Sequence, residues 1–494
     1  MKTKKKTKKP MDVKAKIWLG FKLLFSLITI VFSAYCIKVV HGLDMLPAKI
    51  FVIFVVVYVL LNILTILGLI FNKTKLNIAA ISFALLIILL SGLGIQHGNK
   101  LANFMNSAFN NDGIEVTEYN IAVLKSSNYN ELTDLDGKIV AFAILDEKKE
   151  EYVNVIDSKI SATLKAYDSN MQIYEDLLKK KVDAIIVTSG FMQILEDEYE
   201  DVNDKIKIIY NFEIEKPAQK EEKKEENVTS LQPVNILISG SDSRTGVIVD
   251  KTQSDVNMIV TINPKSHKIL LTSIPRDYYV QLHGTTGLKD KLTNSGVYGI
   301  NMTKKTVEDL FDIKIKYTLK VGFKSVIKIV DLVGGVDIYS DTAFQSHCDD
   351  GGAESVKVKV GMNHFNGAQA LSYARERYAY RNGDYHRIKN QQQVLEAVIK
   401  KVSKDKSILL KYDEILDSIK DAYKTNIPSK FIKLIVKEQL DNMPSWKIET
   451  QSVKGGGYMR ETYSVPGKLR SVEIPDMDSV KKATKKIKKL TGEE

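Results

Sequence analysis

Three apolar runs within the first hundred residues constrain this chain more than any other feature of its sequence. They span residues 17–40, 50–71 and 76–96, and the charged residues within them are Lys22 and Lys38. A helix needs roughly 20 apolar residues to cross a hydrocarbon core of about 30 Å, and lysines near the ends of a span reach the membrane surface. We therefore predict three transmembrane helices rather than the buried helices of a globular protein.

The lysines around these runs predict the orientation of the transmembrane region, residues 17–98. Residues 1–16 form a basic tail with eight lysines and one aspartate, which accounts for most of the net charge of +11. The turn after the second run carries Lys73 and Lys75, whereas the turn before it carries one lysine. Because basic loops stay in the cytoplasm, we expect a cytoplasmic N-terminus and an extracellular body. A cleavable signal peptide is disfavoured, since more apolar runs follow without a small-residue cleavage site.

The two cysteines predict no disulfide framework, zinc cluster or redox motif. Cys36 lies in the first apolar run and Cys348 in the C-terminal part, so an intrachain disulfide between them is not expected. This usage is compatible with an exposed domain of a bacterium that does not rely on disulfides.

Residues 115–214 are predicted to form a small accessory α/β domain. Strand-like stretches at residues 121–124, 138–144 and 182–188 accompany a helix-like stretch at residues 174–180. Short phrases in this segment resemble periplasmic solute-binding domains, and a plain packing or spacer domain is an equal alternative.

Residues 215–230 are charged and nearly free of apolar side chains, which is typical of a linker. The remaining residues, 231–494, mix strand-like and helix-like stretches. The stretches "VNMIVTIN" and "KILLTSIP" are separated by the turn "PKSH" and predict a hairpin. We therefore predict an α/β protein whose C-terminal domain is an α-β-α sandwich with a central mixed sheet.

Polar residues cluster at the ends of the predicted strands. Asp242 and Arg244 come just after the strand "VNILISG", and Asp255 comes just before the next strand. Arg276 and Asp277 end the hairpin. A single Asp-x-Arg is common on protein surfaces, but loops at strand ends are where α/β domains usually hold ligands. The repeated placement therefore indicates a ligand site.

A second cluster of basic residues lies in "YARERYAYRNGDYHRIKNQQQ". Arg375 and Arg377 share a face if this stretch is extended, with Glu376 opposite, and Arg387 follows ten residues later. Converging guanidinium groups repel one another unless a multiply charged anion lies between them, and arginine binds phosphate oxygens bidentately. The pattern favours a diphosphate site. The alternative is that these arginines form separate ion pairs with Glu376 and Asp384.

From about Val234 to Val402 the sequence resembles the LytR-CpsA-Psr family of cell-wall glycopolymer ligases. The similar segments, in order, are "GSDSR", "SDVNMIVTINP", "LLTSIPRDYYV", "DKLTNSGVYG", "VDLVGGVDIY", "GMNHFNGAQALSYARERY" and "GDYHRIKNQQQVLEAV". Three spans followed by an accessory domain resemble the capsule-associated CpsA branch. The resemblance implies a Gram-positive phosphotransferase that uses Mg²⁺, with Mn²⁺ as the alternative ion. It would move a glycopolymer, here capsular polysaccharide, from a polyprenyl-diphosphate carrier to peptidoglycan through a phosphodiester link.

The resemblance also implies roles for individual residues. Asp242 and Asp255 resemble the family's magnesium-binding carboxylates, and Gln391 resembles a residue that supports phosphate binding. The residues similar to its phosphate-binding arginines are Arg244, Arg276, Arg375, Arg377 and Arg387. Arginines would neutralise charge on the leaving phosphate, while a carboxylate or a metal-bound hydroxide would take the proton of the attacking sugar hydroxyl. The choice of base between Asp242 and Asp255 stays open.

Two residues depart from the family pattern and remove charge from the periphery of the predicted site. Gln253 stands where arginine usually precedes Ser-Asp, and Asn390 stands where a second basic residue is frequent. The apolar residues of 318–333 would line a tunnel for the polyprenyl tail or form ordinary core. A lipid-diphosphate hydrolase and a non-catalytic membrane regulator or receptor stay as alternative functions. A DNA-binding regulator is disfavoured by the expected outward topology.

Overall fold

The computed structural model describes residues 12–71, 74–109, 114–143, 149–217, 230–241, 248–347, 352–381, 383–405, 408 and 423–493. Several features of the sequence lie outside these described residues: the basic tail through residue 11, Lys73, residues 218–229 of the predicted linker, Asp242, Arg244 and Cys348. Cys36 is buried and carries a free thiol.

The described helices are α1 (Val13–Leu43), α2 (Ala48–Ile70), α3 (Thr74–Phe109), α4 (Lys149–Asp157), α5 (Asn170–Leu178), α6 (Ser189–Glu198), α7 (Val202–Lys205), α8 (Ile300–Phe311), α9 (Phe323–Leu332), α10 (Gly367–Arg375), α11 (Gly383–Lys404), α12 (Ser429–Asn442) and α13 (Met477–Thr491). Two 3-10 helices span Leu132–Leu135 and Leu292–Tyr298. The strands are β1 (Ile114–Leu124), β2 (Ile139–Ala143), β3 (Thr163–Tyr167), β4 (Ala184–Thr188), β5 (Ile206–Pro217), β6 (Val234–Ser241), β7 (Val256–Asn263), β8 (Lys268–Ile274), β9 (Tyr279–Val280), β10 (Asp290–Lys291), β11 (Tyr317–Gly322), β12 (Val336–Ser340), β13 (Phe344–Gln345), β14 (Lys357–Val358), β15 (Gly361–Phe365), β16 (Tyr423–Thr425), β17 (Lys447–Ser452), β18 (Gly455–Glu461) and β19 (Leu469–Pro475).

The chain divides into two compact units, of which the first contains the apolar helices. This unit comprises Met1–Ala108 and Ser429–Met443. Helices α1, α2 and α3 are each long and apolar enough to cross a membrane, as predicted from the apolar runs. Asn62 of α2 donates a hydrogen bond from Nδ2 to Oγ of Ser33 in α1 at 2.9 Å, which is a common way to join helices in lipid.

Helix α12 belongs to this first unit although it is distant from the other helices in sequence. Lys437 of α12 forms an ion pair of 2.9 Å with Asp44, which lies in the turn between α1 and α2. The sequence patterns did not predict this helix.

The second unit, Phe109–Pro428 and Pro444–Glu494, contains a five-stranded and a six-stranded sheet, and its described residues also form four two-stranded sheets. We call the five-stranded sheet the smaller sheet and the six-stranded sheet the larger sheet. The smaller sheet has the strand order β3-β2-β4-β1-β5. Helices α5 and α6 pack against one of its faces and α4 packs against the other, so each face has its own hydrophobic core. Strands β1, β2 and β4 and helix α5 overlap the stretches predicted in the accessory domain. Strand β5 continues three residues into the predicted linker, because Glu215 pairs with Val116 of β1 and the pairing runs on to Pro217.

The larger sheet has the order β16-β11-β6-β7-β8-β17 and is mixed. Strand β11 runs parallel to β6, and β17 runs parallel to β8. Strand β7 is antiparallel to both β6 and β8, and its pairing with β8 confirms the predicted hairpin. Alternate residues of a strand face opposite sides. Leu270 packs with α8 and α13 on one side, whereas Ser273 bonds to α11 on the other. The predicted α-β-α sandwich is therefore confirmed.

Strand direction brings several chain segments together at one edge of this sheet. Because β6, β7 and β8 alternate in direction, the C-terminal ends of β6 and β8 lie beside the N-terminal end of β7. Asp255, directly before β7, donates its backbone N–H to the carbonyl of Gly240 at 2.8 Å. We refer to this end of the sheet as the catalytic edge, because residues that the sequence analysis predicts to be catalytic lie here.

Candidate active site

Asp255 and Arg276 meet at the catalytic edge. Asp255 directly precedes β7 and Arg276 follows β8 by two residues, so the antiparallel pairing of these strands places them side by side. Nη1 of Arg276 donates to Oδ1 of Asp255 at 2.7 Å, and the side chains are only 21% and 19% exposed. Burial alone would lower the pKa of Arg276, but the carboxylates of Asp255 and Asp277 outweigh it and raise this pKa.

Arg387 lies in the first two turns of α11 and is nearly buried, with 11% of its side chain exposed. Its Nη2 pairs with the carboxylate of Asp384, one turn earlier on the same helix. Burial lowers the pKa of Arg387, against the opposing charge of Asp384. The positive charges of Arg276 and Arg377 lower this pKa further, so the guanidinium of Arg387 is repelled by two others.

At this edge, two guanidinium nitrogens make no hydrogen bond within the described residues. They are the Nε atoms of Arg276 and Arg387, and both are buried. The Nε of Arg276 lies 3.9 Å from the carboxylate of Asp277. A buried N–H without an acceptor destabilises a fold by about 1–3 kcal/mol. Phosphate oxygens match the planar fork of arginine and would accept from these nitrogens. The arrangement is therefore suited to a multiply charged oxyanion.

Arg375 and Arg377 lie on either side of a buried carboxylate. Arg375 is the last residue of α10 and stacks on the ring of Phe323 at 4.3 Å, while Arg377 is exposed and donates to the hydroxyl of Tyr378 at 2.9 Å. Glu376, fully buried between them, accepts hydrogen bonds from three backbone N–H groups, those of His347, Tyr378 and Ala379. The ion-pair alternative therefore describes the Arg387–Asp384 contact, whereas Glu376 holds the backbone of the turn.

Gln391 lies one helical turn beyond Arg387, on the same face of α11. The neighbouring Gln392, which the sequence analysis did not single out, is buried and donates to Oγ of Ser273 at 2.9 Å and to the carbonyl of Gln451 at 2.8 Å. These bonds hold α11 against β8 and β17. They fix the helix that carries Arg387 relative to the sheet that carries Arg276.

The two residues that depart from the family pattern are both buried. The amide of Gln253 donates to Asp197 and to Asn294, each at 3.1 Å. Asn390 donates to the carbonyl of Tyr373 at 2.9 Å. Both side chains therefore take part in packing contacts.

Lys320 lies near this site and was not identified from the sequence. It is 2% exposed on β11, and its Nζ donates to the carbonyl of Asp250 at 2.7 Å. Burial lowers the pKa of Lys320 to about 8, although the charges of Asp250 and Asp255 oppose the shift. Nothing in the pattern "YTLKVG" distinguishes this lysine from one on a solvent-facing strand.

A tyrosine and a glutamate form a second unpredicted contact beside the arginines. The hydroxyl of Tyr385 on α11 donates to the carboxylate of Glu473 on β19 and accepts from the backbone N–H of Gly455 at 3.0 Å. Burial raises the pKa of Glu473, and the charges of Asp384 and Asp277 raise it further. Strand β19 is far from α11 in sequence, so no local sequence pattern predicts this contact.

Asp255 is the one member of the predicted metal-binding pair that the structure describes, since Asp242 lies outside the described residues. Within the described ranges, no group of three or more His, Cys, Asp or Glu side chains is arranged to hold a metal ion. In the predicted tunnel segment 318–333, Val330 and Val333 are buried in a core cluster with Tyr373. Ordinary core packing therefore accounts for these two valines.

Residues 207–486 match the sequence profile of the LytR_cpsA_psr family. The chain belongs to this family. The matched segment contains Asp255, Arg276 and Arg387. The part of the chain that matches the LytR_cpsA_psr family thus includes the catalytic edge.

Two curated relatives bear the name polyisoprenyl-teichoic acid–peptidoglycan teichoic acid transferase TagU. The one from Enterococcus faecalis is 28% identical over 249 residues, which cover 50% of this chain and 78% of the relative. The one from Bacillus cereus is 36% identical over 203 residues, which cover 41% of this chain and 63% of the relative. The crystal structure of B. subtilis TagV is 29% identical, covers 53% of this chain and 98% of its own, and aligns with a TM-score of 0.45.

Proposed function

We propose that this LytR_cpsA_psr protein is a membrane-anchored phosphotransferase that links a glycopolymer to peptidoglycan. The observation that carries the proposal is the pair of buried Nε atoms, in Arg276 and Arg387, that make no hydrogen bond within the described residues and belong to a cluster of interacting guanidinium groups. A diphosphate supplies several negatively charged oxygens that can accept hydrogen bonds from these groups. The names of the relatives supply the reaction class, transfer from a polyisoprenyl-linked donor to peptidoglycan.

The reaction would replace the phosphoanhydride bond of the donor by a phosphate ester bond to peptidoglycan. The oxygen of a peptidoglycan sugar hydroxyl forms a bond to the phosphorus that carries the glycan, and the bond from this phosphorus to the bridging diphosphate oxygen breaks. Polyprenyl phosphate leaves, and the hydroxyl proton passes to a carboxylate at the site. Arg276 and Arg387 would stabilise the charge that builds up on the leaving phosphate.

Mg²⁺ is proposed as the cofactor, with Asp255 and Asp242 as the residues that would hold it. A carboxylate is a ligand that Mg²⁺ prefers, and Asp255 is partly exposed at the catalytic edge, so this donor fits the ion. When bound, Mg²⁺ would neutralise part of the negative charge on the diphosphate. Asp255 would then exchange its contact with Arg276 for the ion and leave this guanidinium to the phosphate oxygens.

The donor glycan and the orientation form the finer part of the proposal. The resemblance to the CpsA branch, with three spans and an accessory segment, favours capsular polysaccharide over teichoic acid. The lysine distribution favours a cytoplasmic N-terminus. Peptidoglycan lies outside the membrane, so this orientation places the catalytic edge in the compartment of its acceptor.

The test is product analysis with the full chain in liposomes. The protein is incubated with lipid-diphosphate-linked glycan, peptidoglycan fragments and Mg²⁺, and the products are identified by mass. A glycan joined to the fragments through phosphodiester supports the transferase. Released glycan phosphate without a linked product identifies a hydrolase, and unchanged donor identifies a non-catalytic regulator or receptor. The variant Arg460→Ala, at an exposed arginine of the β18–β19 hairpin, is the matched control for arginine substitutions.

A further inference from the structure

The segment 248–255, which ends in Asp255, is held by the smaller sheet of the same unit. Strand β1 lies between β5 and β4 in this sheet. At Val116 it pairs with β5 on one side, but its pairing with β4 on the other side begins only at Tyr119. Asp250 occupies the open side. Its backbone N–H donates to the carbonyl of Val116 at 3.1 Å, and its carboxylate accepts from the N–H of Val116 at 2.6 Å.

Helix α6 contacts the same segment closer to Asp255. Oε1 of Gln193 accepts a hydrogen bond from the backbone N–H of Gln253 at 2.9 Å, and Gln253 is only 5% exposed. A buried N–H that loses its acceptor destabilises a fold, so the contact is a strong restraint. A Cβ on Gly190 would lie 2.5 Å from the carbonyl oxygen of Lys251, so only glycine permits this approach.

Helix α6 also contacts the segment 291–293, which forms backbone hydrogen bonds on both sides of the Asp255–Arg276 pair. Glu198, whose side chain is 6% exposed, forms ion pairs with Lys291 at 2.8 Å and with Arg470 at 2.7 Å. Two residues beyond Lys291, the backbone N–H of Thr293 donates to the carbonyl of Arg276 at 2.8 Å, and its carbonyl accepts from the N–H of Ser254 at 2.9 Å. Glu198 thus anchors a segment bonded to Arg276 itself and to the residue before Asp255.

We propose that α6 positions Asp255 and Arg276 for the reaction, with Gln193 and Glu198 as positioning residues. Gln253 is two residues from Asp255, and the intervening Ser254 is fully buried and bonded through Oγ to Ser239 at 2.7 Å. A shift at residue 253 therefore passes directly to residue 255. Displacement of a reacting group by about 1 Å lowers a rate by about a hundredfold. The activity readout of this inference rests on the proposed function.

The experiment compares two substitutions of one residue in the full chain, in liposomes. Gln193→Glu keeps an oxygen that accepts the N–H of Gln253, whereas Gln193→Leu keeps the approximate size and removes the acceptor. We expect Gln193→Leu to lower kcat by about ten- to a hundredfold and to speed hydrogen exchange in residues 248–257. Gln193→Glu should retain most of the activity and the wild-type exchange. Glu196→Gln, at an exposed position of the same helix, should change neither quantity.

The outcomes separate this inference from the proposed function. Wild-type turnover and exchange in Gln193→Leu would overturn the positioning role. If the wild-type protein transfers no glycan, the proposed function fails, and hydrogen exchange in residues 248–257 still decides whether α6 restrains this segment. If Gln193→Leu does not fold, Glu198→Gln provides the test. The loss of its ion pairs should speed exchange in residues 291–294 and lower kcat, and an unchanged Glu198→Gln variant would contradict the proposal.

Discussion

The guanidinium of Arg276 donates to the carboxylate of Asp255 at 2.7 Å, although the sequence predicts a phosphate partner for one and a magnesium ion for the other. Converging arginines were expected to repel one another in the absence of an anion. Carboxylates offset this repulsion at two positions, since Arg387 likewise pairs with Asp384. Binding of a diphosphate would therefore require an exchange of partners at the site.

The Arg276–Asp255 contact should appear as a coupling free energy. In a double-mutant cycle with Arg276→Ala and Asp255→Ala, we expect a coupling of about 1–3 kcal/mol in the free energy of unfolding. Both side chains are mostly buried, so solvent screens the pair only in part. The measurement is chemical denaturation of the full chain in detergent. A polyprenyl diphosphate with Mg²⁺ should reduce the coupling, whereas additive single variants without ligand would contradict the pairing.

Turnover that depends on Mg²⁺ should be lost in Asp255→Ala and in Asp242→Ala. Asp255→Ala also loses the contact with Arg276 and should be less stable than the wild type. Each variant should nevertheless remain folded, with a far-UV circular dichroism spectrum like that of the wild type. The assay is glycan transfer over a titration of Mg²⁺. Full activity in either variant would exclude that residue as a ligand. Asp309→Ala, at an exposed aspartate of α8, is the control.

Several parts of this site follow from local patterns in the sequence. The alternation of "VNMIVTIN" and "KILLTSIP" around a polar turn is enough to predict the hairpin, and the hairpin alone brings Asp255 and Arg276 to one edge. The apolar spacing within residues 391–402 predicts the later part of the helix that carries Arg387, whereas the structure begins this helix at Gly383. These features depend on residues close in the chain, where period and turn chemistry decide the structure.

The contacts that the sequence did not reveal join distant segments. Gln193, Asp197 and Glu198 have the composition of a solvent-facing helix surface, yet the structure uses this surface to hold Gln253 and Lys291. The contact of Tyr385 with Glu473 spans 88 residues. Such contacts depend on how the elements pack. Polar residues have the same helical spacing in the sequence whether their surface faces another element or solvent, so the pattern does not distinguish the two cases.

Arg377 and Arg387 should respond differently to alanine. Arg377 is exposed, so Arg377→Ala should leave the melting temperature unchanged. Arg387→Ala should lower it, because Asp384 loses its partner. Both should weaken donor binding by about 1.5–3 kcal/mol, roughly ten- to a hundredfold. Lysine replacements keep the charge without the fork and should rescue binding in part.

Thermal melts with and without a polyprenyl-phosphate ligand measure stability and binding of these arginine variants together. If Arg387→Ala is destabilised but keeps the full ligand-induced shift in melting temperature, its role is structural and the phosphate-site assignment of this residue is wrong. Arg460→Ala should behave as the wild type in both measurements.

The proposed orientation predicts where reporters will be active. A reporter fused after Lys100 should lie outside the cytoplasm, and one fused after Lys73 should lie inside, because the basic tail and this turn are expected on the cytoplasmic side. Paired fusions of alkaline phosphatase, active outside, and green fluorescent protein, fluorescent inside, read both positions. The reversed pattern would remove the acceptor from reach and exclude peptidoglycan as the substrate.

Lys320 should give the protein an unusual dependence of stability on pH. Its pKa is lowered to about 8 by burial, whereas an unfolded lysine titrates near 10.4. Between these values the unfolded chain binds more protons than the folded chain, so the free energy of unfolding should rise with pH. The contribution is complete above about pH 10 and is lost as pH falls through about 8. It amounts to at most about 3 kcal/mol.

Lys320→Met removes the titrating group and should remove this rise. Buried tyrosines such as Tyr278, whose pKa burial raises, act in the opposite direction at high pH, so the informative quantity is the difference between wild type and variant. Lys320→Arg keeps a cation that does not titrate in this range and should also lack the rise. The measurement is denaturation of the full chain in detergent between pH 7 and 10. Parallel curves for wild type and Lys320→Met would show that the amine of Lys320 titrates alike in the folded and unfolded chain.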